Sequence, residues 1–291
     1  MGPLYTGLLP EFMKNTTQAF KMPFKILYTA DLHGNESYYK KLLKEAKEPE
    51  IKAVVLGGDL CPRGKGTVEL AVKTQKDFLE KFFVPEFKKL KKDVFVIMGN
   101  DDFRINESIL QNQSGNIKEN SNIKYINKKR LNIYTKSIVG YSFVNPTPFR
   151  LKDWEKYDDN KKELPIQVFD EEIRTIDAAK GTIVEDLETF KKLSNPQKTI
   201  YVIHAPPFNT KLDITSNKEH VGSKSVRQFI ENEQPLLTLH GHIHESPKMS
   251  GSFVDHIGKT ICINVGSSYP EDKLNCVVVD LDNLDVKYIE I

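Results

Sequence analysis

The stretch Lys52-Ala53-Val54-Val55-Leu56-Gly57-Gly58-Asp59 decides the fold. A short apolar run closes on two glycines and a carboxylate, which is the pattern of a buried strand stopping at the edge of a sheet. Ligands of α/β sheets gather at such strand ends, and the glycines let the chain turn sharply while leaving space beside the carboxylate. A solvated acidic turn reads the same way in isolation. Asp59 gains weight because four further strand ends carry side chains of the kind that bind metals.

Upstream, Phe24 to Ala30 is expected to be a strand, followed by Asp31-Leu32-His33-Gly34-Asn35. Asp31 and His33 are two apart, so in extended chain they leave on one face, where a carboxylate and an imidazole can share a divalent ion. An amphipathic helix follows, from Ser37 to about Lys47. Downstream of Asp59 comes a Pro62-Arg63-Gly64 turn, then helical spacing from Thr67 to Phe83. Val68, Ala71, Val72, Gln75, Phe78, Leu79 and Phe82 mark one face there. Asp93 to Met98 forms a third strand candidate and ends in Gly99-Asn100-Asp101-Asp102, with Asn100 as a neutral oxygen ligand. Three strands alternating with two helices predict a parallel sheet.

The pattern changes from Asn122 to Val144. Ile123 to Ile126, Leu131 to Tyr134 and Ser137 to Val144 read as short strands that pair antiparallel or lie at a sheet edge. The stretch 145–196 breaks the rhythm with Pro146, Pro148, the one tryptophan (Trp154), a charged run and a helix from Thr182 to Leu193. It is either a crossover helix with a long loop or a cap or loop insertion over the site, and the best candidate for substrate selection. Thr199 to Ile203 is a strand ending at His204. A helix covers about Lys224 to Glu231, and the strand Leu236 to His240 runs into Gly241-His242-Ile243-His244. By the period-two rule His242 and His244 share a face. Two neutral imidazoles there would each need partners and two charged ones would repel; a metal removes both problems. Strands at Thr260 to Val265, Asn275 to Leu281 and Val286 to Ile291 are expected to complete a second sheet. The architecture so predicted is α/β, a two-sheet β-sandwich flanked by helices.

Length and composition fit this. The chain has 291 residues, 39% hydrophobic and 28% charged, as expected of a globular protein with one large domain over 22–291 behind an N-terminal arm at 1–21. Leu4, Tyr5, Leu8, Leu9 and Phe12 of the arm suit packing on the body or on a neighbouring subunit, which leaves a homo-oligomer open. The net charge of +2 and the lack of a basic and aromatic stripe argue against an extended nucleic-acid groove. Three sparse cysteines argue against a disulfide framework and for a reducing cytoplasm. No apolar run reaches the ~18 residues of a membrane span.

Taken in order, Asp31-x-His33, Gly58-Asp59, Gly99-Asn100-Asp101-Asp102, His204 and Gly241-His242-x-His244 resemble the calcineurin-like metallophosphoesterase superfamily, whose pattern is D-x-H, G-D, G-N-H-[DE], H, G-H-x-H. The resemblance spans roughly residues 24–290. It implies a double β-sandwich and two divalent ions, with Mn, Fe or Zn suiting these nitrogen and oxygen donors. Asp31, His33 and His244 would hold the first ion, Asn100, His204 and His242 the second, and Asp59 would bridge them. The implied activity is hydrolysis of a small phosphorylated substrate by a hydroxide bridging the two metals, with Asp59, Asn100 and Asp101 in the catalytic set. One position departs from the pattern. Asp101 stands where the family usually has a His that contacts the phosphate and helps protonate the leaving group. An ionised carboxylate there is a poor proton donor and repels a monoester dianion, so a phosphodiester, or a substrate whose leaving group needs little protonation, is expected, unless Asp101 points away from the site or binds a cationic part of the substrate. The alternative reading is a non-catalytic scaffold that binds protein partners. Against it, every ligand position holds a ligand-type residue.

Overall fold

The computed structural model describes residues 23–115, 121–160 and 171–291. The expected arm at 1–21 and residues 161–170 of the 145–196 stretch lie outside them.

The chain opens with β1 (Lys25–Thr29), α1 (Glu36–Glu45), β2 (Ile51–Gly57), α2 (Val68–Phe78) and β3 (Asp93–Ile97). β1, β2 and β3 pair in parallel, as the alternating pattern predicts. The helix expected to end at Phe83 runs on. A π-helical turn at Leu79–Phe83 joins α2 to α3 (Val84–Lys88). Pro85, which has no N–H to donate, sits at the start of α3 just beyond that turn. On the predicted face Ala71, Gln75 and Leu79 are buried, whereas Val68 is exposed.

α4 (Glu107–Gly115), β4 (Ile123–Tyr125), β5 (Arg130–Ile133) and β6 (Lys136–Tyr141) come next. β4 closes one edge of the first sheet in parallel with β3, while β5 pairs antiparallel with β6 and opens the second sheet. Then follow α5 (Ile183–Leu193), β7 (Thr199–Ile203), α6 (Lys224–Glu233), β8 (Leu237–His240), α7 (Ser246–Ser250), β9 (Val254–Ile257), β10 (Thr260–Asn264), β11 (Asn275–Asp280) and β12 (Val286–Glu290).

The result is two six-stranded mixed sheets, β12-β11-β1-β2-β3-β4 and β5-β6-β7-β8-β10-β9. The C-terminal strands do not all join the second sheet, contrary to the sequence reading. β10 does, but β11 returns to pair antiparallel with β1, and β12 follows it. β11 is buried along almost its whole length, which suits a place beside the central β1.

Strand alternation divides the core. Ile26, Tyr28, Val55, Ile200 and Val202 face the space between the sheets. Leu27, Val54, Leu56, Tyr201 and Ile203 face outward under the helices. α5 lies between the parallel strands β6 and β7 in sequence, and its Phe190 packs on Tyr141 and Tyr201. Ahead of it, Lys152, Asp153, Trp154 and Lys156 are buried, with the Trp154 indole donating to the Asp102 carbonyl at 2.9 Å. This part of the 145–196 stretch belongs to the body.

Candidate metal centre

The loops after β1, β2, β3, β7 and β8 meet at one rim. The first two are zipped together: the amides of Asp31, His33 and Gly34 donate to the carbonyls of Gly58, Asp59 and Leu60 at 3.0, 2.9 and 2.8 Å. Asp31, His33, Asp59 and His242 all have left-handed backbone, with φ of 57°, 45°, 51° and 69°. Asp31 and His33, and His242 and His244, therefore do not sit side by side through extended-chain periodicity. The chain folds back sharply at each strand end, a conformation that costs non-glycine residues free energy and is met mainly at functional sites. Glycines make room where the loops touch. A Cβ on Gly99 would lie 2.3 Å from Asp59 Oδ1, and one on Gly241 would lie 2.6 Å from Asp31 Oδ2.

The side chains converge. Ligand atoms of Asp31, His33, Asp59 and His244 all lie within 4.8 Å of one another. His33 Nε2 is 3.1 Å from His244 Nε2, and His244 Nε2 is 3.5 Å from Asp31 Oδ1. On the other side of Asp59, His204 Nε2 stands 3.4 Å from Asp59 Oδ2 and 3.1 Å from Asn100 Oδ1. The His242 ring is 5.4 Å from the His204 ring, centre to centre. The seven candidate metal ligands are thus at this rim, with Asp59 near donors of both groups.

Surrounding bonds aim these ligands. His204 Nδ1 meets the Gly57 carbonyl at 2.8 Å, so Nδ1 carries the proton and Nε2 faces Asp59 and Asn100. Asp31 accepts from the His242 amide with both oxygens at 3.1 Å, and Ser267 Oγ donates to the Asp31 carbonyl at 3.0 Å. The Asp101 amide donates to Asp59 Oδ1 at 2.8 Å.

The electrostatics show a demand for cations. Burial opposes charging His204, yet the Asp59 and Asp31 carboxylates outweigh it and push the imidazole up to about 9. Burial likewise opposes charging His244, and Asp31 and Asp59 raise it. Asp59 is held well below the carboxylate range: burial works against this, and His204, His33 and the Asp101 amide prevail. His33 and His242 are pushed down to about 4 and about 3, chiefly by burial. His33 Nδ1 is buried without a hydrogen-bond partner among the described residues. Two carboxylates drawing protons onto neighbouring imidazoles are the donor set that divalent ions satisfy, so the residues fit a metal site.

The family match agrees with the geometry. The model for calcineurin-like phosphoesterases covers residues 24–246. The chain belongs to this family. An uncharacterised protein of Methanocaldococcus jannaschii is 30% identical over 269 residues, which are 88% of this chain and 95% of the relative. One solved chain superimposes with a TM-score of 0.64 at 16% identity, over 92% of this chain and 99% of its own. TT1561 of Thermus thermophilus gives 0.58 at 14% identity, over 92% and 98%. GAP50, the anchor in the inner membrane complex of Plasmodium, gives 0.50 at 11% identity, over 92% and 85%. These likenesses show the fold. Among the described residues no helix is long and apolar enough to cross a membrane.

Asp101 shows an alternative that the sequence reading did not weigh: it pairs with a cation of the protein itself. Its Oδ2 accepts from Arg63 Nε at 2.8 Å. Burial and the Asp59 charge push Asp101 up to about 6 against the pull of Arg63.

The sequence reading missed three supports. Asp102 accepts from the amides of Leu60, Cys61 and Gly99 at 3.1, 2.8 and 2.9 Å, sewing the β2 and β3 loops together. Burial and Asp59 raise it to about 7 while those three donors pull it down. Gln75 is fully buried and binds both loops; a lone polar residue on an apolar helical face was the available signal. Phe149, half exposed, sets its ring 6.4 Å from the His242 ring. Nothing in its sequence context marked it.

Proposed function

We propose that the protein hydrolyses the phosphate ester of a small substrate at two adjacent divalent-ion positions, with Asp31, His33 and His244 on one side, Asn100, His204 and His242 on the other, and Asp59 shared. The observation that carries this is the convergence of the Asp31, His33, Asp59 and His244 ligand atoms within 4.8 Å. When bound, divalent ions supply Lewis-acid charge to a phosphoryl group and lower the pKa of water. The chain's own part is to fix the donors. The Gly57 carbonyl holds the His204 tautomer, the His242 amide holds Asp31, and the Asp101 amide holds Asp59. The Asn100 side chain adds a neutral oxygen where carboxylate charge is already high.

A diester is the favoured substrate, though Arg63 now takes up much of the Asp101 charge that would repel a monoester. No histidine stands at position 101, and a guanidinium holds its proton too tightly to give it up. Leaving groups that need little protonation are therefore favoured. Mn, Fe or Zn suits the donors. The cysteines Cys61, Cys262 and Cys276 are all buried and free, which supports a cytoplasmic setting.

The test is metal analysis of reconstituted protein together with hydrolysis of bis-p-nitrophenyl phosphate and p-nitrophenyl phosphate. Bound divalent ion with turnover of the diester supports the reading. Bound ion without turnover of any ester points instead to a scaffold.

A further inference from the structure

A basic hollow lies at the opposite end of the second sheet from the metal rim. It has a volume of about 400 Å³ and is framed by β5, the Tyr134-Thr135 turn, the start of β6 and the segment between α5 and β7. β6 and β7 run parallel, with Ser137 beside Thr199 at this end and Tyr141 beside Ile203 at the other. His204 follows Ile203 at the rim, so the five residues of β7 separate the two places by about 17 Å. Of the nine residues lining the hollow, three are cations (Arg130, Lys136 and Lys198) and none is acidic. Arg130 is held by neutral groups: its Nε donates to Ser137 Oγ and its Nη2 to Asn132 Oδ1, each at 3.0 Å. Its Nη1 donates to no other described residue, and the ammonium groups of Lys136 and Lys198 have no hydrogen bond or ion pair among the described residues. Asp282 reaches the Tyr134 hydroxyl at 2.9 Å but pairs with none of the three cations.

We propose that this hollow binds a small phosphorylated anion, at a site separate from the metal centre and independent of the phosphoesterase reading. The whole chain carries a net charge of only +2, so three unpaired cations around one hollow are a local concentration and not part of a generally basic surface. Gathered like charges repel, and a dianion among them reverses the sign of that interaction. Most surface arginines gain a carboxylate or stay solvated; Arg130 is instead tied to a hydroxyl and an amide that fix it without neutralising it. A side chain already fixed loses less rotamer entropy when a ligand arrives. The mixture also suits phosphate chemically. The guanidinium and the two ammonium groups supply charge, and the serine, threonine, tyrosine and asparagine side chains along the walls offer donors to the remaining phosphate oxygens. A single carboxylate would leave two of the three cations unmatched. The volume falls in the range of small-molecule sites, which leaves room for an organic body attached to the phosphate.

The experiment follows amide hydrogen exchange of metal-reconstituted, full-length protein during titration with inorganic phosphate and, separately, with adenosine monophosphate. Exchange reports each segment by itself, so binding at the hollow is read apart from any binding at the rim. Either anion should protect 130–137 and 194–199 with a saturating dose response. In the double variant Arg130→Gln/Lys198→Gln the half-saturation concentration for those segments should rise about tenfold or more. Both side chains are exposed, so the fold should survive, and metal content and Tm check that it does. Lys73→Gln, on the outer face of α2, makes the same kind of charge change away from the hollow and should move the half-saturation by less than about twofold. Tighter protection by adenosine monophosphate than by phosphate would identify a phosphorylated organic molecule as the ligand, and equal protection would identify the free anion; both support the site. Absence of protection at both segments with both anions up to about 10 mM overturns the proposal. So does an equal weakening by Lys73→Gln and the double variant, which is what diffuse surface charge gives.

Discussion

His33 Nε2 and His244 Nε2 face each other across 3.1 Å at a rim that also holds Asp31 and Asp59. Two imidazole nitrogens this close need a proton or a metal between them. A bound ion stabilises only the folded chain. At a hundred times its Kd, manganese should therefore add about 2.7 kcal/mol of stability, a rise in Tm of roughly 5–10 °C over the chelated protein. Differential scanning fluorimetry reads this directly. His33→Ala should lose most of the rise; a full rise in that variant would place the ion elsewhere.

The sequence showed the strand ends well, because each apolar run stops abruptly at a glycine or a ligand-type residue. It brought out the candidate ligands because chemistry restricts their residue types. It misled on how neighbours such as Asp31 and His33 meet, since left-handed backbone replaces strand periodicity there. It also misplaced β11, whose partner β1 is more than two hundred residues away in the chain, and with it β12, which pairs on β11. Local pattern carries no information on such long-range pairing. Gln75 reads in the sequence as a polar residue on an apolar helical face, and only the packing of α2 against the two loops shows that it ties them together.

Asp102 should matter more for stability than for chemistry. Asp102→Ala leaves the buried amides of Leu60, Cys61 and Gly99 without their acceptor. The expected loss is about 3 kcal/mol in urea denaturation of the metal-free protein. A loss under about 0.5 kcal/mol would mean that water replaces the carboxylate.

Asp186 anchors α5. Its Oδ2 accepts from Lys128 at 2.8 Å, Lys156 at 2.7 Å and the Tyr141 hydroxyl at 2.8 Å. Burial would raise its pKa, but the bonds from Lys128, Lys156 and Tyr141 outweigh it and hold the carboxyl below the usual range. A lowered folded-state pKa means that stability is present above the unfolded value near 4 and is lost as pH falls through the folded value. Asp186→Asn should cost about 3 kcal/mol at pH 7, as Lys156 is left buried. Its stability should also fall less steeply than the wild type's below pH 4. Parallel curves for the two proteins would remove Asp186 from the acid transition.

Phe149 should tune substrate choice. It is half exposed beside the His242 ring, so it can pack on an apolar leaving group without supporting the core. Phe149→Ala should raise KM for an aryl phosphodiester about threefold to tenfold, leave a methyl diester nearly unchanged, and leave Tm within about 1 °C. Equal changes for both esters would mean that the ring shapes the site rather than the specificity.

The most direct test of the metal centre is elemental analysis of purified protein after reconstitution with manganese, iron or zinc, comparing the wild type with Asp59→Asn. Two divalent ions per wild-type chain, and at most weak residual binding once the shared carboxylate loses its charge, is the predicted result. A wild type that binds no divalent ion under any loading condition would contradict it.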